Sequence, residues 1–269
     1  MSSRSNSRQR YAIGIEYDGS AFCGWQIQSH SPSIQQALNE ALSAVANTAL
    51  ECTGAGRTDT GVHALAQVAH FESDVTRSLR SWLLGLNSNL PAEVSVAWIA
   101  PVDAEFHARF SALSRSYRYV IFNRPARSPL ERGRAWWIYQ PVDHARMQIA
   151  ANHLLGEHDF SSFRASSCQA HSPVRTMQLL DVQRRGEFIT VDCRANAFLH
   201  HMVRNIVGSL VKVGKGEESV EWLAETLAAC DRRVSGITAP AAGLTLTRVE
   251  YPDDSFSQKI YPDDFERDT

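Results

Sequence analysis

Apolar and polar residues recur along the N-terminal part of the chain with periods that predict three strands and two helices. Tyr11–Tyr17 alternates as a strand does and ends at an Asp-Gly turn. Ser33 is a candidate N-cap, because apolar residues then recur every three or four positions over several turns. Gln67–Phe71 and Val94–Ile99 are further strands, and residues 77–86 favour a helix. The predicted order is therefore β-α-β-α-β.

The C-terminal part also contains both the alternating pattern of strands and the three-to-four-residue period of helices. The predicted strands are Tyr117–Phe122, Val174–Arg184, Glu187–Arg194 and Leu244–Tyr251. The predicted helices are His144–Leu155, His200–Val213 and Val220–Cys230. Because both parts combine strands and helices in a similar order, we expect an α+β fold. It would consist of two related α/β halves (ferredoxin-like) that share a mixed, mainly antiparallel central sheet with helices on one side.

Four segments follow from this pattern. Residues 1–9 are polar and are predicted to form a flexible N-terminal tail. Residues 10–105 form the N-terminal α+β half, which carries a glycine-rich loop, and residues 106–252 form the C-terminal α+β half. Residues 253–269 are predicted to be an acidic C-terminal tail.

Composition excludes several classes of protein. The chain has 269 residues, is 43% hydrophobic, and contains no run of eighteen apolar residues that would span a membrane. Its polar start lacks the apolar core of a secretory signal. The five cysteines are scattered without a Cys-x-x-Cys pair, which argues against a zinc ribbon or a disulfide framework. These features predict a cytoplasmic location.

The charge is unevenly distributed. The formal net charge is −2, but seven of the acidic residues lie from Glu250 onward, so the rest of the chain is slightly basic. Only three of the 27 basic residues are lysine. Arginine matches phosphates and stacks on bases better than lysine does. A compositional bias explains the excess equally well, so particular positions must support any interpretation as a nucleic-acid binder.

The stretch GAGRTDTGVHA, residues 54–64, is the strongest candidate for chemistry. Its glycines permit positive φ and close backbone approach, but their spacing fits neither of the common phosphate-binding loops. An exposed Arg–Asp pair in a turn is worth only about 0–1 kcal/mol and is often without function. Alternatively, Asp59 is a nucleophile or base, which a cationic partner keeps ionised by lowering its pKa. Arg57 is too near in sequence to be the best such partner.

An ordered series of stretches resembles the bacterial tRNA pseudouridine synthase A family. In the N-terminal half these are YDGSAFCGWQIQ (17–28), SIQQALNEAL (33–42) and AGRTDTGVHALAQVAHF (55–71). In the C-terminal half they are FHARFSA (106–112), SRSYRYVIFN (114–123), GEHDFSSFRA (156–165), CQAHSPVRT (168–176), FLHHMVRNIVGSLVKVG (198–214) and APAAGLTL (239–246). The similarity covers residues 11–251. Thr60, Ala66 and His171 depart from the family's usual residues, and the last puts one phosphate contact in doubt.

This resemblance implies a reaction and a substrate. The family converts uridine to pseudouridine at positions 38, 39 and 40 of the tRNA anticodon arm, without a cofactor or a metal. The glycosidic bond breaks, the uracil turns, and C5 bonds to C1′ of the ribose. Asp59 occupies the place of the catalytic aspartate. The sequence leaves open whether its carboxylate attacks C1′ or removes a ribose proton to give a glycal.

The resemblance also assigns four substrate-binding residues. Tyr117 would stack on the flipped uracil, although a core strand aromatic is the alternative. Arg204 would be the ion-pair partner of Asp59 rather than a solvated helical arginine. Leu244 would lie beneath the uracil, and Arg57 would help hold the nucleotide out of its stack, the alternative being a surface arginine.

Other polar residues receive simpler interpretations. His63 is predicted to be a packed or capping histidine. Adjacent helical residues diverge, so His200 and His201 do not predict a metal site, and Cys168 with His171 lacks a second ligand pair. Five arginines in matched stretches are candidates for phosphate contacts, each with a surface role as the alternative: Arg109, Arg115, Arg118, Arg164 and Arg175.

The predicted partners are a tRNA, held by its anticodon arm, and a second copy of the chain in a homodimer; the dimer rests on the resemblance alone. Three other functions remain open: a tRNA-binding chaperone, an isomerase for a different uridine, and an N-glycosidase. The presence of both Asp59 and Tyr117 disfavours the chaperone. An N-glycosidase would release uracil, whereas an isomerase releases none.

Overall fold

The computed structural model describes residues 8–253, 255, 256 and 258–261. The strands are β1 (Gln9–Tyr17), β2 (Cys52–Gly54), β3 (His63–Ser73), β4 (Val94–Val102), β5 (Ser114–Asn123), β6 (Trp136–Ile138), β7 (Gly156–Asp159), β8 (Val174–Arg185), β9 (Phe188–Ala195) and β10 (Leu244–Glu250). The helices are α1 (Ile34–Ala46), α2 (Leu79–Asn89), α3 (His144–Ala151), α4 (Met202–Gly214) and α5 (Trp222–Ala228). Within the described ranges, no helix has the length and apolar character needed to cross a membrane.

The chain forms two compact units. The first comprises the described residues up to Leu113 together with those from Arg248 onward, and the second comprises Ser114–Thr247. The boundary therefore lies beyond the predicted one at residues 105 and 106. The reason is that Phe106 and Ala108 are buried in the core of the first unit, where they pack with Tyr251 from the C-terminal segment.

The first unit has a βαββαβ topology. Its strands lie in the order β4-β1-β3, with β2 on the other side of β3, and every pair is antiparallel. Ile13 of the central strand faces Ala69 on β3 and Ile99 on β4. This order and connectivity are those of a ferredoxin-like unit. The glycine-rich loop forms the connection between β2 and β3.

The second unit repeats this topology with additions. Its strands lie in the order β10-β5-β9-β8-β7, and α3 and α4 occupy the two helical connections of a second βαββαβ series. β6 pairs with β5 in parallel, whereas β5–β9, β9–β8 and β8–β7 are antiparallel. The α+β class with a mixed, mainly antiparallel arrangement is thus confirmed.

Local chemistry explains the helix starts. Ser33 caps α1 by accepting a hydrogen bond from the Gln36 N–H, as its position predicted. α4 begins at Met202 rather than at His200, so that prediction was wrong by two residues. The cause is His201, whose φ of 61° is left-handed and cannot belong to the helix. The predicted helix His144–Leu155 ends as a helix at Ala151 and continues as a 3₁₀ turn.

The C-terminal segment is partly structured. Ile260 exchanges two backbone hydrogen bonds with Ile99 of β4, and Phe256 stacks within 5.5 Å of Trp98, Phe106 and Tyr251. Within the predicted acidic tail over 253–269, the side chain of Phe256 and the backbone of Ile260 therefore anchor the chain to the first unit. Likewise Gln9, assigned to the N-terminal tail, already belongs to β1. The other predicted tail positions, 1–7 and 262–269, lie outside the described residues.

Candidate active site

The glycine-rich loop is held by hydrogen bonds from the strand that follows it. The Ala55 N–H donates to the Val68 carbonyl at 2.7 Å. The side-chain amide of Gln67, which is fully buried, donates to the Gly56 carbonyl at 2.9 Å. Without this acceptor the buried amide would have an uncompensated desolvation free energy, so the bond favours one conformation of the loop. These contacts fix the part of the loop that precedes Arg57.

Thr58, directly before Asp59, is fixed from three directions. Its buried hydroxyl lies 2.8 Å from the phenol oxygen of Tyr17. Its carbonyl accepts the Trp25 N–H at 3.0 Å. Gly24, with φ of 88°, approaches that same carbonyl so closely that a Cβ at Gly24 would lie 2.6 Å from the oxygen. The backbone on the N-terminal side of Asp59 is therefore held firmly by the segment after β1.

Asp59 stands at the start of a tight turn. Its carbonyl accepts the Val62 N–H at 3.1 Å, and Gly61 provides the positive φ of 77° that this turn requires. The Asp59 side chain is half-buried, and that of Arg57 is exposed. Thr58 between them is buried. This arrangement suits a carboxylate that must meet a bound molecule.

His63 has the structural role that the sequence predicted. Its Nδ1 lies 3.1 Å from the Gly19 backbone nitrogen and 3.2 Å from an oxygen of the Asp18 carboxylate. The Val62 carbonyl approaches Gly19 so closely that a Cβ there would lie 2.0 Å from it. His63 thus ties the end of the glycine-rich loop to the turn after β1.

The second unit holds the three other predicted site residues. Tyr117 lies on β5, is buried, and meets Phe198 edge-on with ring centroids 5.1 Å apart. Leu244 opens β10 and is also buried. Arg204 lies in the first turns of α4 and is half-buried, with its Nε donating to the Ala239 carbonyl at 2.8 Å.

Residues 239–243 connect these side chains. The Ala239 N–H donates back to the Arg204 carbonyl at 3.1 Å, so the helix and the loop bind each other twice. The phenol of Tyr119, two residues beyond Tyr117 on the same face of β5, donates to the Pro240 carbonyl at 2.7 Å. A Cβ at Gly243 would lie 2.7 Å from the Val120 carbonyl and 2.8 Å from the Tyr119 ring. This loop is thereby fixed between β5 and α4, directly before Leu244.

Sequence reasoning missed the residues that do this positioning. Tyr119 looked like any strand aromatic, yet burial raises the pKa of its phenol far above the ordinary value and it stays a neutral donor. Tyr17, Gly24 and Gln67 support the glycine-rich loop from outside it. The stretch APAAGL, with its proline and glycine next to a strand, was the one available indication that residues 239–243 form a close-packed turn.

The arginines predicted to grip phosphates mostly bind their own unit. Arg118 makes a forked pair with Asp192 at 2.8 and 3.0 Å, and Arg115 is buried and donates to the Asn196 carbonyl. Arg164 donates to the carbonyls of Cys168 and Ala170. The two remaining arginines make local contacts: Arg109 over the Phe110 ring, and Arg175 with the Ser172 carbonyl. These contacts give the arginines structural roles within the chain.

Comparison with known proteins gives a consistent result over nearly the whole chain. A family model described as tRNA pseudouridine synthase matches residues 13–111 and 150–252. The tRNA pseudouridine synthase A of Hydrogenovibrio crunogenus is 53% identical over 242 residues, which are 90% of this chain and 92% of that protein. The proteins of that name from Burkholderia cenocepacia and Paraburkholderia xenovorans are 53% and 50% identical, each over at least 90% of both chains.

Proposed function

Because the chain belongs to the tRNA pseudouridine synthase family and is thus an isomerase of tRNA uridines, we propose that it acts at positions 38, 39 and 40 of the anticodon arm, with Asp59 as its catalytic carboxylate. The observation that carries this assignment is the support around Asp59. Thr58 and Val62, on either side of it, are both fixed by hydrogen bonds, and the Asp59 side chain is half-buried between them.

A single carboxylate is sufficient for this chemistry. Breaking the glycosidic bond of uridine builds positive charge on the ribose, which a nearby carboxylate stabilises or attacks. No water is consumed, because the detached uracil turns and bonds again through C5. The site must therefore exclude water and retain the base. Both the attack on C1′ and the glycal path use the same Asp59 carboxylate.

The second unit supplies the proposed pocket for the base. The ring of Tyr117 stacks on the flipped uracil, and Leu244 lies beneath it. Both side chains are buried and rigid, since Phe198 packs against Tyr117 and the close-packed turn 241–243 precedes Leu244. Rigid apolar walls of this kind allow a base to rotate in its plane without leaving.

Two arginines complete the proposed site. Arg204 is the proposed ion-pair partner of Asp59, and the bond from its Nε to the Ala239 carbonyl sets the direction of the guanidinium. Arg57, exposed beside Asp59, fills the space that the flipped nucleotide leaves in the stack.

We further propose that two copies form a homodimer that holds one tRNA, and that the protein acts in the cytoplasm, where its tRNA substrate is present. The dimer is the assembly that the resemblance to the family implies. Sedimentation of the purified protein tests it directly, and a monomer with full activity would refute it.

The test of the reaction is Asp59→Asn, with Asp103→Asn as the matched control at an exposed acidic position. We expect Asp59→Asn to lower pseudouridine formation by at least about a hundredfold while tRNA binding persists. Mapping of modified uridines by mass spectrometry gives both the yield and the positions. Near-normal turnover by Asp59→Asn refutes its role, modification elsewhere in the tRNA refutes the positions, and free uracil in the wild-type reaction indicates a glycosidase.

A further inference from the structure

The second unit contains a pocket away from its proposed base-binding residues. The cavity, of about 490 Å³, lies between the end of β5 and the start of β6 and is lined by Phe122, Arg127, Arg132 and Trp137, among others. This volume falls within the range of roughly 300–1,000 Å³ that small-molecule sites occupy. Phe122 follows Tyr117 by five residues on β5, a distance of about 17 Å. The pocket is therefore not the one proposed for uracil.

One wall of this pocket is a fixed aromatic ring. Trp137 is 42% exposed, yet its indole N–H donates to the Arg124 carbonyl at 3.0 Å, which holds the ring in place. Tyr139, 61% exposed, lies 6.3 Å from it. Two exposed aromatic rings so close together are uncommon on a surface that has no partner, since such side chains are usually buried.

The rim of the pocket is positively charged. Arg127 and Arg132 line it and are exposed, and neither forms an ion pair with any residue that the structure describes. Glu131, the only acid between residues 124 and 139, also lines the pocket. Arg124 is already engaged, lying over the Phe122 ring at 4.6 Å and pairing with Glu187. Two guanidiniums against one carboxylate thus stand beside an aromatic wall.

We infer that this pocket binds an unpaired nucleotide of the tRNA, with the base stacked on Trp137 and the phosphate held by Arg127 and Arg132. An aromatic face next to arginines is the usual means of holding a single-stranded nucleotide. The inference rests on the proposed tRNA substrate. It adds a second contact between the protein and the tRNA, separate from the contact with the modified uridine. Residues 112–149 also lie between the two stretches that the family model matches, so the family match itself does not assign this pocket.

A second copy of the chain is a less suitable occupant. In a two-fold symmetric interface the same patch meets itself, which would bring Arg127 and Arg132 of both copies together. Like charges at such a contact oppose association. A phosphate backbone, in contrast, neutralises them.

The experiment measures the affinity of the full-length chain for an unmodified tRNA transcript over a range of salt concentrations. Arg132→Ala is compared with Arg77→Ala, another exposed arginine without an ion pair to a described residue, in the first unit. We expect Arg132→Ala to raise Kd several-fold and to reduce the slope of log K against log salt by about 0.7–0.9. Arg77→Ala should change neither.

The aromatic contact is tested with two substitutions of Trp137. Trp137→Leu should raise Kd about tenfold, the loss of one stacked base, whereas Trp137→Phe, which keeps a ring, should stay within about threefold. Ultraviolet crosslinking should attach a nucleotide to the wild-type peptide that contains residue 137. If Trp137→Leu does not fold, Arg132→Ala, at an exposed residue, still tests whether the pocket binds tRNA.

Two outcomes would overturn the inference: Arg132→Ala binding tRNA with the Kd and salt slope of Arg77→Ala, or pocket variants that convert a dimer to a monomer in sedimentation, which would make this face a subunit interface. The turnover number at saturating tRNA should stay unchanged in all pocket variants. A wild-type protein that binds tRNA through this pocket but forms no pseudouridine would refute the proposed function and leave the pocket standing.

Discussion

The phenol of Tyr17 and the hydroxyl of Thr58 lie 2.8 Å apart in the buried base of the glycine-rich loop. This bond reaches from the end of β1 to the residue directly before Asp59. Burial raises the pKa of Tyr17 to about 12, so the phenol is neutral at physiological pH and can act as a donor. The residue before the proposed catalytic carboxylate is thus held by a tyrosine that is itself buried in the core.

Tyr17→Phe should lower the turnover number about three- to tenfold and leave KM for tRNA nearly unchanged. It removes one buried hydrogen bond and should cost about 1 kcal/mol of unfolding free energy. Steady-state kinetics and urea unfolding measure the two effects. Tyr261→Phe, at an exposed phenol away from both proposed tRNA contacts, is the control for the loss of a hydroxyl. Equal turnover in Tyr17→Phe and wild type would show that Thr58 needs no such support.

Gly24→Ala should displace the glycine-rich loop, because Gly24 packs against the Thr58 carbonyl. A Cβ at Gly24 would lie 2.6 Å from the Thr58 carbonyl, so the backbone before Asp59 must move. We expect at least a tenfold loss of turnover, since a displacement of about 1 Å can cost a hundredfold. Gly186→Ala is the matched control, because Gly186 also has a positive φ but open space around it. It should cost about 1 kcal/mol in stability and no activity.

Arg204→Lys should separate the effect of the positive charge at residue 204 from the effect of its hydrogen bond to Ala239. Lysine keeps the positive charge but has no group equivalent to Nε, so the bond to the Ala239 carbonyl is lost. We expect turnover to fall about tenfold, while Arg204→Ala, which loses the charge as well, should fall further. Thermal unfolding of both variants serves as the control for folding. If Arg204→Ala retained the wild-type rate, the proposed ion pair with Asp59 would be wrong.

Acidification should destabilise the first unit through His70. Burial, with a contribution from nearby His107, lowers the pKa of His70 to about 4. Below pH 6.5 the imidazole of residue 70 takes up a proton in the unfolded chain but stays neutral in the native protein. The contribution of His70 to the free energy of unfolding is therefore complete above pH 6.5 and is lost as the pH falls toward 4. The loss is at most about 3 kcal/mol.

Urea unfolding at pH 7.5 and pH 5 measures this effect. In His70→Asn the difference between the two pH values should shrink, because asparagine can still accept the Ala108 N–H that now bonds Nδ1. The exposed His153→Gln is the control. A pH dependence that is the same in His70→Asn and wild type would assign the effect to other groups, such as His107.

Phe256→Ala should destabilise the first unit by about 1–3 kcal/mol, less than a fully buried phenylalanine would, because Phe256 is only partly buried. Its ring packs on Trp98, Phe106 and Tyr251. Phe110→Ala, at a ring that is 75% exposed, should cost much less. Equal unfolding midpoints for the two variants would contradict the anchoring role of Phe256.

Residue periodicity predicted the long elements well, because one face of each is buried against the core. β1, α1, β8, β9 and β10 all begin or end within about two residues of the prediction. β2, β6 and β7 were missed, since a strand of three or four residues is too short to show a period. The left-handed conformation of His201 likewise has no sequence pattern that marks it.

The candidate site could be predicted only in part from the sequence. A glycine-rich loop with one carboxylate drew attention to Asp59, and the resemblance supplied Tyr117, Arg204, Leu244 and Arg57. The residues that support this loop are distant in sequence, as Gly24 is from Thr58. Apolar spacing shows that Phe106 and Phe256 are hydrophobic but not which core they enter. That choice depends on tertiary packing, which the chain reveals only when folded.

The first unit is assembled from both ends of the described chain, since residues after Arg248 complete its core, while the second unit is one uninterrupted stretch. During translation the second unit has all its residues before the ribosome has made Tyr251 and Phe256. We therefore expect nascent chains to acquire the fold of Ser114–Thr247 first, and the unit bearing Asp59 to mature only after Tyr251 and Phe256 have been made.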